Sequence, residues 1–202
     1  MSMRLKKYPR FMILVMVALI VASALLLWPI KSNKNESSKN MYSQFGGDFV
    51  LQSSDGPVAL SDYKGKVVVL YFGYAYCPDV CPTSLGLLSL ALGKLKPNEL
   101  VDIQALFISV DPERDTLENL KKYTAAFHQK IKGITGSDLD IADIANRYGA
   151  SYMKVELPDS ALGYSVDHSS KYYLINQQGE LTKLINHGTS PDDIVAALRT
   201  LL

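Results

Sequence analysis

Residues 67–82 read VVVLYFGYAYCPDVCP, an unbroken apolar run that passes into a segment with two cysteines. The run from Val67 to Phe72 shows no alternation of polar and apolar residues, which is typical of a strand covered on both faces. Pro78 and Pro82 suit the start of a helix, because the N–H groups of a first helical turn have no partner within the helix. The stretch therefore predicts a central strand followed by a helix.

Cys77 and Cys81 are the only two cysteines among the 202 residues. A domain that relies on disulfides for stability carries several pairs, so one close pair after a buried strand indicates redox or metal chemistry. If Cys81 lies in a helix, the two side chains lie about one turn apart on one face, where they could form a disulfide or hold a soft metal ion. A helix N-terminus also favours the thiolate of Cys77. A plain structural disulfide is the alternative interpretation.

The pattern on either side of this stretch predicts a thioredoxin-like α/β fold with a mixed central sheet, flanking helices, an N-terminal hairpin and an extra hairpin insertion. Strands are expected at 104–110, in a hairpin at 49–60 and in another hairpin at 171–185. Helices are expected at about 85–95, from Asp115 to about 129 with a capping box to Glu118, at 137–148, and at 190–202. In such sheets, functional sites lie at the carboxyl ends of the strands. Cys77 comes after the strand that ends at Phe72, and Asp111 comes directly after the strand that ends at Val110.

The N-terminal segment 11–30 reads FMILVMVALIVASALLLWPI and contains no charged residue. A run of roughly 20 apolar residues is long enough to span a bilayer, so we predict one transmembrane helix here. Four basic residues in 1–10 favour a cytoplasmic N-terminal flank. A cleaved signal peptide is the alternative, but its apolar region is normally about 7–15 residues long and ends at a small-residue cleavage site.

The rest of the chain divides into a linker and one domain. Residues 31–43 are polar and aperiodic, which predicts a flexible linker, and residues 44–202 are enough for one soluble domain. The formal net charge is +1, and basic residues cluster only in the N-terminal flank. This distribution argues against nucleic acid as a partner.

His168 is the histidine whose position suggests a ligand, since it precedes a predicted strand that can return to the cysteine-bearing edge of the sheet. Two thiolates and an imidazole suit Cu(I) and, with weak additional ligands, Cu(II). Zn(II) would also accept this set with a fourth ligand, although the affinity order favours copper. A hydrogen-bonded or surface histidine is the alternative for His168. His128 and His187 are expected to be structural.

Three carboxylates are candidates for supporting the site through hydrogen bonds: Asp79 inside the cysteine loop, Asp111 at a strand end, and Asp167 before the histidine. Asp79 could equally be a solvated carboxylate that complements the dipole of a helix N-terminus. Asp111 could belong, with Arg114 and Asp115, to a capped turn that needs no site to explain it.

Three ordered motifs resemble the Sco/SenC family, the copper-binding assembly factors of cytochrome c oxidase. They are YFGYAYCPDVCP at 71–82, ISVDPERDT at 108–116, and DHS at 167–169 ahead of YLI at 173–175. The resemblance covers nearly the whole chain, including the predicted anchor. One departure is at positions 75 and 76, which are Ala-Tyr where many relatives have Thr-His.

The resemblance implies that Cys77, Cys81 and His168 bind one copper ion per chain, as Cu(I) or Cu(II). It also implies an upstream copper donor and, as recipient, the dinuclear copper centre of cytochrome c oxidase subunit II. The N-terminus has no Arg- and Ser-rich amphipathic presequence, which favours a bacterial inner membrane with the soluble domain in the periplasm.

Two functions stay open from the sequence, and we expect the metallochaperone to be the main one. The alternative is a thiol-disulfide reductase, in which the redox-active pair Cys77 and Cys81 reduces the copper-site cysteines of subunit II. Whether the chain is also an enzyme depends on that alternative. A copper or redox sensor is a further interpretation. The Cys-x-x-x-Cys spacing disfavours a peroxiredoxin or a general thioredoxin.

Overall fold

Strands and helices alternate along residues 41–202, which are the residues that the computed structural model describes. The strands are β1 (Val50–Ser53), β2 (Gly56–Ala59), β3 (Val67–Gly73), β4 (Ile103–Ser109), β5 (Ile131–Ile134), β6 (Tyr152–Glu156), β7 (Tyr164–His168), β8 (Lys171–Ile175) and β9 (Leu181–Asn186). The helices are α1 (Val80–Gly93), α2 (Pro97–Leu100), α3 (Leu117–Ala125), α4 (Asp138–Tyr148) and α5 (Pro191–Arg199), with a 3-10 turn at Leu60–Tyr63.

A mixed five-stranded sheet in the order β5-β4-β3-β8-β9 lies at the centre of the thioredoxin-like fold. Strand β3 is the middle strand, and it pairs in parallel with β4 and antiparallel with β8. All seven residues of β3 are buried, as expected for a strand covered on both faces. Two hairpins, β1-β2 and β6-β7, form two-stranded sheets of their own. The carboxyl end of β3 therefore opens directly onto the cysteine loop.

Buried tyrosines tie helix α1 to the sheet. The ring of Tyr71 stacks on that of Phe107 at a centroid distance of 6.2 Å. The hydroxyl of Tyr71 donates to Ser84 Oγ (3.1 Å), and that of Tyr172 donates to the Ser84 carbonyl (2.7 Å). A buried hydroxyl without such a partner would cost about 1–3 kcal/mol. These two bonds fix the helix that carries the second cysteine.

Most of the predicted elements are confirmed. The central strand, the hairpins at both ends of the domain and the helix at 137–148 are present. Ser137 caps helix α4 by accepting from the Asp140 N–H, and Gly149 ends that helix at φ 65°. Ser190 caps α5 in the same way, accepting from the Asp193 N–H.

The capping box predicted at Asp115 and Glu118 is wrong. Helix α3 is capped by Thr116, whose side chain accepts from the Asn119 N–H (3.2 Å). Asp115 is unavailable because its carboxylate accepts two hydrogen bonds elsewhere, from the Ala75 N–H and the Ser109 hydroxyl. The helix also ends at Ala125, before the predicted end near 129.

The segment that leads to His168 is a strand. The sequence predicts a strand only from Lys171, after a polar segment, but Tyr164–His168 forms β7 and pairs antiparallel with β6. Strand β6 is largely exposed on both faces, so it carries no apolar periodicity from which a strand could be recognised. Strand β5 at Ile131–Ile134 is not predicted either, since its sequence IKGI contains a lysine and a glycine, which are depleted in strands.

The predicted cytoplasmic flank at 1–10, the transmembrane helix at 11–30 and most of the linker at 31–43 lie outside the described residues. Within residues 41–202, every helix is too short or too polar to cross a membrane.

Replacing Leu70 with Ala should lower the free energy of unfolding by about 3 kcal/mol, because Leu70 is fully buried in β3 and the change leaves a cavity. Leu90→Ala is the matched control, since Leu90 is 60% exposed on α1 and its truncation should change the free energy by less than about 0.5 kcal/mol. Urea denaturation followed by circular dichroism measures both. Equal effects of the two substitutions would contradict the assignment of β3 as the central strand of the core.

Candidate metal centre

The two cysteines lie where strand β3 gives way to helix α1. Cys81 is the second residue of α1 and is fully buried, whereas Cys77 lies in the loop before the helix and is 9% exposed. Both are free thiols. Cys77 lies outside the helix, in a turn where its N–H donates to the Tyr74 carbonyl (3.2 Å), and the two sulfur atoms lie within 4.8 Å of each other. Both cysteines are thus largely buried, and Cys77 is the more exposed of the two.

Gly73, the last residue of β3, allows the close approach of Cys81. A β-carbon at this position would lie 2.6 Å from Cys81 Sγ and 2.9 Å from the ring of Phe107. Those distances are shorter than van der Waals contact, so a side chain here would displace the sulfur. A glycine at the end of an otherwise apolar strand is the sequence signal for such an approach.

His168 comes to the cysteines from the other side, as the last residue of β7. Its Nε2 atom lies 3.2 Å from Cys81 Sγ, and its Nδ1 atom lies 3.4 Å from the Ser169 carbonyl oxygen. The ligand atoms of Cys77, Cys81 and His168 all lie within 4.8 Å of one another. In the part of the chain that the structure describes, no other group of three Cys, His, Asp or Glu side chains is placed to hold a metal ion.

Two tyrosines pack against the imidazole ring. The edges of Tyr71 and Tyr74 meet His168 in T-shaped contacts, at centroid distances of 6.2 Å and 5.8 Å. Both tyrosines are buried, so they restrict the orientation of the ring and keep the site apolar. Tyr76, by contrast, is 46% exposed beside Cys77.

The thiols of Cys77 and Cys81 have opposite acidities. The pKa of Cys77 is lowered to about 3, chiefly because the Cys81 thiol donates a hydrogen bond to its thiolate. Burial raises this pKa, whereas hydrogen bonds from His168 and from the backbone N–H groups of Asp79 and Cys81 lower it further. The pKa of Cys81 is raised, because it is that donor and because it is deeply buried. In the reduced site, Cys77 is therefore the thiol that ionises first.

The three candidate supporting carboxylates lie in different surroundings. Asp79 is exposed, and its hydrogen bond to the Cys77 sulfur comes from its backbone N–H. Asp167 is exposed on β7 and pairs with Met153 across the hairpin. Asp111 is fully buried, where it accepts from Arg114 Nε (2.5 Å) and the Tyr164 hydroxyl (2.8 Å).

Asp115 supports the cysteine loop more directly than its sequence position suggests. Its Oδ2 atom accepts from the Ala75 N–H (2.8 Å) and from the Ser109 hydroxyl (2.6 Å), which joins the loop to the end of β4. Burial raises the pKa of this carboxyl group. The sequence places Asp115 next to a helix start, so a helix cap was the expected role. Its actual partner, Ala75, is 40 positions away.

This set of donors suits a soft metal ion or thiol chemistry. Two sulfur donors and one imidazole nitrogen are ligands that soft ions such as Cu(I) prefer, and the buried aromatic walls would limit access by water. Without a metal, the thiolate of Cys77 can attack a disulfide and Cys81 can resolve the product. The geometry is compatible with both kinds of chemistry.

Comparisons with known proteins identify similar chains. The family model described as SCO1/SenC matches residues 37–202. The mitochondrial SCO1 homolog 1 of Arabidopsis thaliana is 41% identical over 150 residues, which is 74% of this chain and 44% of that protein. The chain thus spans less than half the length of this plant relative.

Solved structures show the same fold. Bradyrhizobium japonicum ScoI with copper bound aligns at a TM-score of 0.71 and 35% identity, over 78% of this chain and 99% of that one. A structure from a study that identifies a disulfide switch in BsSco, a member of the Sco family of cytochrome c oxidase assembly proteins, aligns at a TM-score of 0.60 and 28% identity, over 78% and 94% of the two chains.

Cys77 should react with iodoacetamide at acidic pH in the reduced, metal-free chain. Its lowered pKa keeps it as thiolate, so the alkylation rate should change little between pH 8 and pH 5, whereas an ordinary thiol would slow by about a thousandfold. Cys81→Ala removes the main donor and should move the midpoint of the rate profile to higher pH. Cys81→Ser retains a donor and should move it less. Peptide mass spectrometry measures the alkylation of each cysteine separately. A tenfold loss of the Cys77 rate per pH unit below pH 8, in the unchanged chain and in both Cys81 variants, would contradict the lowered pKa of Cys77.

Proposed function

Because the chain belongs to the SCO1/SenC family, we propose that it is a copper metallochaperone whose Cys77, Cys81 and His168 bind one copper ion. The observation that carries the proposal is the convergence of two sulfur atoms and one imidazole nitrogen within 4.8 Å. The donor types match the preference of Cu(I). Copper in the related Bradyrhizobium japonicum structure supports the same assignment.

Copper is the cargo in this proposal, so the site must both bind and release it. Cys77 has the lower pKa of the two thiols, so it ionises more readily, and Cys81 must lose its proton when copper binds. His168 is beside Cys81 and would complete the set with a neutral nitrogen. Cys77 is the more exposed of the two thiols, so a ligand of an acceptor protein would reach the site at this sulfur first.

We propose the dinuclear copper centre of cytochrome c oxidase subunit II as the recipient, with an upstream copper donor that loads the site. The support for this is the resemblance of the three motifs and the similarity to BsSco, a member of the Sco family of cytochrome c oxidase assembly proteins. A thiol-rich recipient would take the ion by exchange of one soft ligand for another.

A thiol-disulfide reductase is the second candidate, and the closeness of two free thiols, Cys77 and Cys81, is the observation that favours it. The Cys77 thiolate would attack one sulfur of a target disulfide, and the other target sulfur would leave as a thiolate. Cys81, after losing its proton, would then attack Cys77 in the mixed disulfide. The products are a Cys77–Cys81 disulfide and a target with two thiols. An external thiol reductant would be needed to return the pair to its reduced state.

We also propose that residues 11–30 anchor the chain in a bacterial inner membrane, with 1–10 in the cytoplasm, 31–43 as a linker and 44–202 as the periplasmic domain. The support is the length of the apolar segment and the basic residues before it. An anchor would keep the copper site near a membrane-bound recipient and raise its effective concentration there.

The reduced full chain should bind one Cu(I) ion, and His168→Ala should weaken binding by at least about tenfold because a ligand is lost. Competition with a chromogenic Cu(I) chelator measures the affinity and stoichiometry. His128→Ala is the matched control, because His128 accepts a hydrogen bond from the Lys130 N–H in another part of the fold. Unchanged affinity in His168→Ala, together with reduction of a subunit II disulfide by that variant, would favour the reductase.

The full chain should stay in the membrane fraction after an alkaline carbonate wash, because about 20 apolar residues anchor a chain against extraction. A chain that starts at residue 41 should be recovered in the soluble fraction. Protease added to spheroplasts should degrade the copper-site domain if it faces the periplasm. Release of the full chain by the wash, or protection of the domain, would contradict the anchor or its orientation.

A further inference from the structure

The hairpin β6-β7 carries His168 but does not belong to the central sheet. The cysteines are held by β3 and α1, so the third donor reaches the site on a separate element. Most side chains of the hairpin are exposed or only partly buried, and Val166 is its one fully buried residue. Hydrophobic burial alone therefore gives the hairpin a weak attachment, and its position depends on polar contacts.

Besides the exposed ion pair between Lys154 and Glu113, several polar contacts of the hairpin come from Arg114. Its Nη1 atom donates to the carbonyl oxygens of Tyr164 (2.9 Å) and Leu162 (3.3 Å), and its Nε atom donates to Asp111 Oδ2 (2.5 Å). The guanidinium carbon lies 3.6 Å from the centroid of the Tyr164 ring. The side chain of Arg114 is 16% exposed and that of Asp111 is fully buried. Charge-assisted bonds and cation–π contacts are stronger when they are shielded from water in this way.

Asp111 completes the attachment from the same turn. While its Oδ2 atom accepts from Arg114, its Oδ1 atom accepts from the hydroxyl of Tyr164 (2.8 Å). Tyr164 is thus held at its carbonyl, its ring and its hydroxyl by two residues that follow strand β4. Tyr164 is also the first residue of β7.

Strand β7 connects Tyr164 directly to His168. Tyr164 and His168 are the two ends of the strand, about 13 Å apart for four residues of extended chain. Between them, the N–H of Val166 donates to the hydroxyl of Tyr74 (3.3 Å), and the ring of Tyr74 contacts His168 edge-on. An extended strand fixed at its start and middle leaves little freedom at its end.

We propose that Arg114, together with Asp111, is a positioning residue that holds Tyr164 and thereby keeps His168 in place for copper. The proposal rests on the proposed function, since it concerns how tightly the third ligand is presented. Arg114 bonds to none of the three proposed ligands, so it acts through the hairpin and through Tyr74, over whose ring its guanidinium lies at 5.5 Å. Loss of the attachment would lower copper affinity only to the extent that His168 contributes to it.

Arg147 provides a matched control for Arg114. It forms an ion pair from Nε to Asp143 Oδ2 (2.9 Å) and donates from Nη1 to the carbonyls of Asp48 (3.0 Å) and Gly46 (3.4 Å). It therefore uses the same kinds of contact to attach a different segment. A lysine at either position keeps the positive charge but loses the planar fork that bonds several acceptors at once.

The test compares Arg114→Lys and Arg147→Lys in the reduced full chain, each with His168 present and with His168→Ala. Arg114→Lys should weaken Cu(I) binding by about tenfold when His168 is present, a loss typical of residues that hold a metal ligand in place. In the His168→Ala background, Arg114→Lys should not weaken Cu(I) binding further. Arg147→Lys should leave the Cu(I) affinity unchanged whether His168 is present or replaced. Electron paramagnetic resonance of the Cu(II) form should show weaker nitrogen hyperfine coupling in Arg114→Lys.

The outcomes separate this inference from the proposed function. Equal weakening by Arg114→Lys with and without His168 would show a general structural role and overturn the inference. Unchanged affinity in Arg114→Lys, while His168→Ala weakens binding, would overturn the inference and leave the proposed function standing. Affinity that is independent of His168 would refute the proposed ligand set and the inference with it. If Arg114→Lys does not fold, Tyr164→Phe removes only the bond to Asp111 and should weaken binding in the same His168-dependent way, by a smaller factor.

Discussion

The close approach of helix α1 to the end of strand β3 is the constraint on which the rest of the site depends. Gly73 leaves room for the Cys81 sulfur, which a β-carbon would meet at 2.6 Å. One helical turn later, Ser84 accepts hydrogen bonds from two buried tyrosines of the sheet. The helix can therefore neither retreat from the strand nor rotate without breaking buried contacts. As a result, the position of Cys81 is set by the core of the domain.

The cysteines and the histidine are held by different parts of the fold. The cysteines follow strand β3 of the central sheet, whereas His168 lies on a separate hairpin, which is attached through Arg114, Asp111 and Tyr164. Elements with few buried apolar contacts open at lower free energy than the core. The polar contacts of the hairpin therefore decide how firmly His168 is held beside the two sulfur atoms.

Sequence patterns were sufficient for the parts of the fold that depend on local signals. The apolar run at 67–72 predicted the central strand, and Ser137 and Gly149 predicted both ends of a helix. The cysteine spacing predicted that the two sulfur atoms are close together, and they are, although Cys77 lies before the helix and not on its face. The hairpin β6-β7 could not be predicted in this way, since its side chains are mostly exposed and its attachment joins residues 50 positions apart in sequence. Asp115 was misjudged for a related reason, because its partner Ala75 is far from it along the chain.

The opposite acidities of the two thiols link the copper and the thiol interpretations of the site. An ionised Cys77 beside a protonated Cys81 is a suitable starting state for binding a soft cation and also for attacking a disulfide. The sulfur pair alone therefore does not select one chemistry. His168 does not select one either, because it would add a third donor to a bound Cu(I) ion and it also lowers the pKa of Cys77. The contacts that place the hairpin thus bear on both reactions.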